Sequence, residues 1–455
     1  MTSVADVRTR VIPSPVDNES GPNENSLNEN GALARNIADQ VSRSLAQAAW
    51  EKESRLGAAD VAELAETFTS DLLEDYAASE ISHGRNAPEA GSLAALRSAI
   101  LARTIGLGGL QPLMDDPDVE TINANGCDEV FAIRADGSTT RQSPIAPSDD
   151  AMVELIRRLA VSGGEERRFD RGVARLNAEL PDGSRLFAAL GVCRRPCLSI
   201  RRNRLSAVNL VDLVARGLLD HRLAGFLTAI VGARFNVLIS GGQAGGKTTL
   251  LRALMNTLDP AERLVTIEDT FELGLDRMPE QHRDVVAYQA REANTEGAGA
   301  ISQAELVRWA LRMAPDRVVV GELRKDEFIP MCNAMNQGLD GSAGTVHASS
   351  SAQVVERMIN LGLQSAERLS AEATVRLLGS AVDFVIQLDR RRDPARTRVI
   401  TSVREVCGSD GLQLITNEVW KPGPDRRAIP GVQLRPQTLE RLADAGYDPS
   451  SWEEA

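Results

Sequence analysis

Along most of the chain the apolar positions fall at one of two spacings, and the spacing changes where the element type changes. Residues 31–108 follow the helical period: Val61, Leu64, Ala65 and Phe68, then Leu72, Leu73 and Tyr76, trace one stripe. Leu96, Ile100, Leu101 and Ile105 trace another, and Gly106, Gly108 and Gly109 end this helical extension. Residues 1–30 show neither spacing. Acidic residues, Asn and Pro separate their scattered apolar side chains, so burial cannot offset the entropy of ordering and a disordered tail is expected.

Residues 109–204 predict a small α+β domain. Strands are expected at Val119–Ala124 and Glu129–Ile133 around Asn125-Gly126, and a helix at Met152–Leu159. A second hairpin pairs Val173–Leu180 with Arg185–Leu190 around Pro181-Asp182-Gly183-Ser184. A helix near Leu210–Ala215 opens the next domain, which runs from residue 205 to 425. There the β-rich runs Phe235–Ser240, Arg263–Ile267, Arg317–Val320 and Gly344–Val346 alternate with helical or turn segments, the mark of an α/β fold. Ser302–Met313 reads as a helix opened by a Ser302/Glu305 capping box, with Leu306, Trp309, Ala310 and Met313 on its apolar face. Val382–Leu388 and Thr397–Val403 predict late strands paired through the charged turn at Arg390–Pro394. Residues 426–455 are expected as a tail with one short helix near Gln437–Ala443.

One stretch carries specific chemistry. The apolar run Asn236-Val237-Leu238-Ile239-Ser240 leads into Gly241-Gly242-Gln243-Ala244-Gly245-Gly246-Lys247-Thr248-Thr249, and a helix is predicted over Leu250–Met255. Strand, glycine-rich loop of the form G-x-x-x-x-G-K-[ST] and helix form a phosphate-binding loop, whose backbone N–H groups converge on a phosphate at a helix N-terminus. In such a loop Lys247 reaches the β- and γ-phosphates and the Thr248 hydroxyl ligates Mg²⁺. Glu268, Asp269 and Glu272 follow one predicted strand and Glu322 ends another, as expected of a parallel sheet whose ligand lies at the carboxyl ends of its strands. Glu322 is then placed to hold a water on Mg²⁺ or to polarise the attacking water. If the strand ending at His347 lies beside the loop strand, His347 can reach the γ-phosphate or its water.

Composition narrows the setting. The 455 residues carry 51 Lys+Arg and 64 Asp+Glu, a net charge of −13, which argues against a protein that coats nucleic acid. No apolar run approaches the roughly 18 residues of a membrane span, and no signal peptide is visible at the N-terminus, so the cytoplasm is the expected location. Cys193 and Cys197 lack the second ligand pair of a zinc site, and the five cysteines are expected to be structural thiols.

From Gly106 to Val406 the chain resembles the secretion ATPases of type II and type IV systems, closest to the branch serving Flp/Tad-type pili. The resemblance rests on Gly108-Gly109-Leu110-Gln111-Pro112-Leu113, Ile122-Asn123-Ala124-Asn125-Gly126, Leu180 to Arg185 and Ser199-Ile200-Arg201-Arg202. It continues through four ordered boxes: the phosphate loop, Thr266 to Leu273 (an "Asp box"), Leu311 to Arg324 (Walker B) and Gly338 to Ser349 (a "His box").

The resemblance implies a RecA-like ATPase domain behind a small N-terminal domain, a hexameric ring, and ATP held between the two domains with Mg²⁺. Lys247 and Thr248 carry over as phosphate and metal ligands, Glu322 as the Walker B acid and second metal ligand, and Glu268 and His347 as box residues. Arg185, Arg201 and Arg202 lie where the family's N-terminal domain supplies arginines to the nucleotide. A polytopic inner-membrane platform protein is the implied partner, with peripheral attachment at the cytoplasmic face of the inner membrane.

The sequence departs from the family pattern at Gly245, where Ser is usual, at Gln243-Ala244 for a common Thr-Gly pair, and at Leu339 for His. A nucleic-acid translocase or DNA-uptake motor is the rival, drawing on Arg194-Arg195, Arg201-Arg202-Arg204 and Arg390-Arg391-Arg392. Aromatics at 4 % give it no stacking face. A noncatalytic, nucleotide-gated scaffold is the third reading.

Overall fold

The computed structural model describes residues 33–45 in part, 58–104, 106–162, 169–202, 208–291, 293, 298–391 and 397–448. The expected tail at residues 1–30 lies outside them. The chain divides into two units, Met1–Gln111 and Pro112–Ala455. The first is helical. Leu73 of α1 (Ala58–Ser82) and Leu96 and Ile100 of α2 (Ala90–Thr104) share a small core with Ala34, Ile37 and Val41. An ion pair between Arg97 and Glu66 joins the two helices.

The second unit contains two sheets. Its N-terminal part folds as β1 (Val119–Asn125), β2 (Val130–Arg134), β3 (Thr139–Gln142), α3 (Asp149–Ser162), β4 (Arg175–Glu179), β5 (Arg185–Ala189) and β6 (Cys197–Arg201). The strands form one sheet in the order β3-β2-β1-β6-β5-β4, antiparallel at every pairing. Ile122, Ala124, Val130, Ala132, Leu186, Ala188, Leu198 and Ile200 are buried on one face, as are Met152, Leu155 and Ile156 of α3. Two of these strands were not expected. β3 is Thr-Thr-Arg-Gln, an edge strand with no apolar alternation to betray it. β6 alternates correctly, but its Arg-rich end reads as a run-in to the next helix.

The larger sheet is built from β7 (Val237–Gly241), β8 (Arg263–Glu268), β9 (Asp284–Gln289), β10 (Arg317–Leu323), β11 (Ala343–His347), β12 (Phe384–Arg390), β13 (Arg398–Asp410), β14 (Gln413–Pro422) and β15 (Ala428–Pro430). Their order is β15-β14-β13-β12-β7-β11-β10-β8-β9. From β12 to β9 every pairing is parallel, and β13 to β15 extend the sheet antiparallel. This is the RecA-like α/β architecture expected. β7 and β8 are buried almost throughout because helices cover both faces. One face packs α5 (His221–Gly232) and α6 (Lys247–Met255) through Phe226, Ile230, Leu250 and Leu254. The other packs α7 (Gln303–Ala310), α8 (Phe328–Asn336) and α9 (Gln353–Gln364) through Leu306, Met331 and Met358. Leu210 and Leu213 of the helix α4 (Leu210–Ala215), with Val208 just before it, join the first core.

Three expectations change. The helix expected over Ser302–Met313 ends at Ala310; Ser302 caps it by accepting from the Glu305 N–H at 3.2 Å. Its buried stripe is Gln303, Ala304, Leu306, Val307 and Ala310, whereas Trp309 is 41 % exposed, since it falls between the turns that face the sheet. The short helix expected near Gln437–Ala443 is present at Pro436–Asp444, but it and its surroundings are packed: β15 pairs with β14, Leu434 and Leu442 enter the core, and Arg435 and Thr438 hydrogen-bond the buried Glu405 carboxylate.

Candidate nucleotide site

The central strand β7 ends in the glycine-rich loop, and α6 begins at Lys247. Gly246 is the N-cap with φ of 92°, a left-handed conformation that suits glycine, and it carries no side chain to cap the first-turn N–H groups. Those donors and the helix dipole favour an anion at this end. Ala244 also sits in the left-handed region, at φ of 53°, which costs an L-residue about 1–2 kcal/mol.

Topology brings the strand-end residues to the loop. β11 lies directly beside β7 with His347 in register with Gly241, and β10, with Glu322 its penultimate residue, is the next strand. The Lys247 ammonium donates to the Gly241 and Gly242 carbonyls at 3.1 and 3.0 Å and lies 3.0 Å from His347 Nδ1. His347 Nε2 is 2.9 Å from Glu322 Oε1. As an ammonium Lys247 only donates, so Nδ1 accepts and Nε2 carries the hydrogen toward Glu322. The other Glu322 oxygen accepts from Arg324 Nη2 at 2.7 Å, and Arg324 reaches Asp269 at 3.3 Å.

Two carboxylates at neighbouring strand ends are driven in opposite directions. Burial raises Glu322, but hydrogen bonds from His347 and Arg324 outweigh it and hold the carboxyl at about 2. Burial dominates at Glu268, which is pushed up to about 8 although the Leu273 and Glu272 N–H groups donate to it at 3.0 Å. A Cβ on Gly321 would stand 2.9 Å from Glu268 Cγ, so β10 needs glycine there to pass over this side chain. At neutral pH Glu322 is therefore ionised and Glu268 neutral. Burial also lowers Lys247 to about 8.

The six-stranded sheet supplies cations. Arg185 and Arg201 are directly opposite across β5 and β6, a like-charge pairing that is unfavourable unless an anion relieves it. Glu272 does so in part, meeting Arg185 Nη1 at 2.5 Å. Burial raises the Glu272 carboxyl, but Arg185 and Arg201 outweigh it and hold it below its usual range; the Thr248 side chain also hydrogen-bonds it. Arg202, next along the chain just past β6, binds the main-chain carbonyls of Leu113, Asp116 and Val119 through Nη1. It lines the cleft without an ion pair to the loop or the strand-end acids.

The cleft between these parts has a volume of about 400 Å³, within the range of small-molecule sites, and six arginines line it against two glutamates. Such a lining suits a polyanion. A smaller cavity of about 20 Å³ adjoins it, lined by Thr248, Glu268, Glu272, Glu322, Arg185 and Arg324 among others. That is room for one water or a small cation. Among the described residues no group of three or more His, Cys, Asp or Glu could hold a metal alone. The oxygen donors present fit a hard ion that takes part of its shell from phosphate and water.

The sequence reading gave no role at the site to the lining residues Arg252, Arg324, Arg398 and Glu120, or to Arg390 beside the loop. Arg252 leaves α6 to donate to the Glu272 and Leu273 carbonyls, holding the acidic turn. Arg390 and Arg398 both reach the Ala244 carbonyl. A lone arginine on a helix or strand end carries no sequence signal of such a role. The arginine stretches that favoured a nucleic-acid reading are also largely committed elsewhere. Arg195 forks onto Asp149 at 2.7 and 2.8 Å and onto Asp128 at 2.7 Å, and Arg390 holds the loop. Arg204 and Arg392 lie outside the described residues.

A phosphate loop heading a helix from the central strand, with a charged carboxylate at a neighbouring strand end and arginines facing it from a second sheet, defines a P-loop nucleotide-binding protein. The chain belongs to the type II/IV secretion ATPase family: the family described as type II/IV secretion system protein matches residues 107–420. It is 35 % identical over 325 residues to Rv3659c of Mycobacterium tuberculosis H37Rv, whose name assigns it provisionally to conjugal transfer; the match spans 69 % of this chain and 88 % of that one. It is 29 % identical to the protein VirB11 of Agrobacterium fabrum, over 61 % of this chain and 87 % of the relative. The VirB11 ATPase structure from the Brucella suis type IV secretion system aligns with a TM-score of 0.36 at 26 % identity, covering 65 % of this chain and 95 % of that one. Membership of this family implies ATP as the nucleotide. No helix among the described residues is long and apolar enough to cross a membrane.

Proposed function

We propose that the protein is an Mg²⁺-dependent ATPase that drives a secretion or Tad/Flp-type pilus assembly system as a ring of six subunits. The ring works on a polytopic inner-membrane platform protein, to which it attaches peripherally from the cytoplasm. The observation that carries the chemistry is the continuous array Lys247–His347–Glu322 across three adjacent elements, with the oxygen-lined cavity beside Thr248.

In hydrolysis a water oxygen bonds the γ-phosphorus as the bridge to the β-phosphate breaks, and the leaving ADP takes the charge. Glu322, ionised and oriented by His347 and Arg324, accepts the water's proton. Lys247 exchanges its loop carbonyls for phosphate oxygens. Arg185 and Arg201 neutralise charge on the γ-phosphoryl group from the other sheet, so the chemistry depends on both domains. Arg202 steadies the end of β6, which carries Arg201, through the carbonyls of Leu113, Asp116 and Val119. Glu268, neutral, holds the acidic turn. Thr248 and Glu322 would hold Mg²⁺, which when bound would supply positive charge against the phosphates.

A second reading has specific support, since the relatives' names point to conjugal transfer. A conjugation motor can move cargo without itself binding DNA, and the committed arginines favour that form.

Phosphate release and nucleotide binding test the reading together. Glu322→Gln should lower phosphate release roughly 10²–10⁴-fold while leaving ATP affinity within about threefold. Wild-type turnover in that variant, or ATP binding with no phosphate release by the assembled wild-type protein, would remove the hydrolase assignment. Native mass measurement tests the ring, and a strict monomer with and without ATP counts against a motor. Salt-dependent binding to DNA would favour direct translocation.

A further inference from the structure

We propose that Arg398 is a positioning residue for the phosphate loop, holding Ala244 in its left-handed conformation. The proposal rests on the assignment of Gly241–Thr249 to nucleotide binding. Three observations on this chain carry it. Ala244 has φ of 53°, in the left-handed region that favours glycine. Its carbonyl accepts from Arg398 Nε at 3.1 Å and from Arg390 Nη2 at 2.7 Å. The Arg398 fork extends further, to Glu120 Oε1 of the six-stranded sheet at 2.5 Å.

These contacts share a cause. An alanine forced to positive φ relaxes by rotating the adjoining peptide, which would swing the Ala244 carbonyl and re-aim the N–H groups that follow. A carbonyl has two lone pairs, and two guanidiniums occupying both resist that rotation. Arg390 and Arg398 are register partners at the paired ends of β12 and β13, so the sheet itself aims both at one oxygen. Arg398 is the one that also spans to Glu120, and its Cδ would lie only 3.3 Å from a Cβ at Gly246, directly over the loop. Glu120 orients its fork. The phosphate loop places an alanine where the backbone favours glycine, and Arg398 holds it there.

The full-length protein and three variants, Arg398→Ala, Ala244→Gly and the double variant, supply the test. The probe is a fluorescent N-methylanthraniloyl ATP. Arg398→Ala should weaken its binding about five- to twentyfold when residue 244 is alanine and less than about twofold when it is glycine, because glycine adopts the conformation unaided. Equal loss in both backgrounds, or no loss in either, overturns the proposal.

A second measurement needs no nucleotide. Hydrogen exchange of the peptide spanning residues 241–249 should speed up in Arg398→Ala and speed up less when Ala244→Gly is added. Exchange indifferent to Arg398 refutes the proposal even in a protein that binds no ATP. Absence of ATP binding by the wild type with the exchange pattern intact would instead refute the nucleotide assignment.

Discussion

The two sheets of the second unit place functional groups by different rules. In the nine-stranded sheet, Lys247, Glu322 and His347 converge because parallel strands end on the same side, so strand order alone decides which residues meet. In the six-stranded sheet, parity decides. Arg185 and Arg201, direct register partners, share the face opposite to Leu186 and Ile200, the next pair along, which is buried. Arg195, beyond the hairpin tip, faces neither way and clamps Asp128 and Asp149. Chemistry at strand ends tolerates a one-residue error in register, whereas chemistry on a strand face does not.

The largest effect should come from the strand-end group. Lys247→Ala should cut phosphate release on the order of a hundredfold or more, since its ammonium is the loop's own charge for the phosphates; release within a few-fold of wild type would show that the arginines suffice. Next in size, Arg185→Ala should lower turnover roughly ten- to a hundredfold. Arg195→Ala should lower the melting temperature yet leave turnover per folded molecule unchanged. If the two arginine variants behaved alike, the division between an arginine that serves the cleft and one that clamps Asp128 and Asp149 would fail.

Titration gives a smaller effect. Lys247 is protonated below about pH 8 in this site, and its charge is lost above that value. ATP affinity followed by calorimetry should therefore hold from pH 7 to 8 and fall above it, and Lys247→Ala should flatten the fall.

The least effect concerns Glu268. Its carboxyl is raised from 4.5 to about 8, so the folded protein keeps a proton that the unfolded chain releases near pH 4.5. Stability from this group is fully present below pH 4.5 and is lost as pH rises through 8. Glu268→Gln should match the wild type near pH 4.5 and melt on the order of a few degrees higher above pH 8. A pH-independent difference would show that burial does not control this acid.

The sequence by itself determined the loop and its setting. Glycines, a lysine and a hydroxyl at fixed offsets between a strand and a helix make phosphate binding a local property, readable in nine residues. Alternation likewise announced β1, β2, β4 and β5, and the acids at strand ends were visible as candidates. Tertiary structure decided the rest. That β11 lies beside β7 is a matter of crossovers, and no local pattern sets it, yet it puts His347 between Lys247 and Glu322. The opposite ionisation of Glu268 and Glu322 depends on how deeply each is buried and on His347, which a separate strand brings to Glu322. Arg398 and Glu120 meet across 278 positions of chain. Charge and hydrogen bonding act through space, so residues that look alike in sequence acquire different work only after the chain has folded.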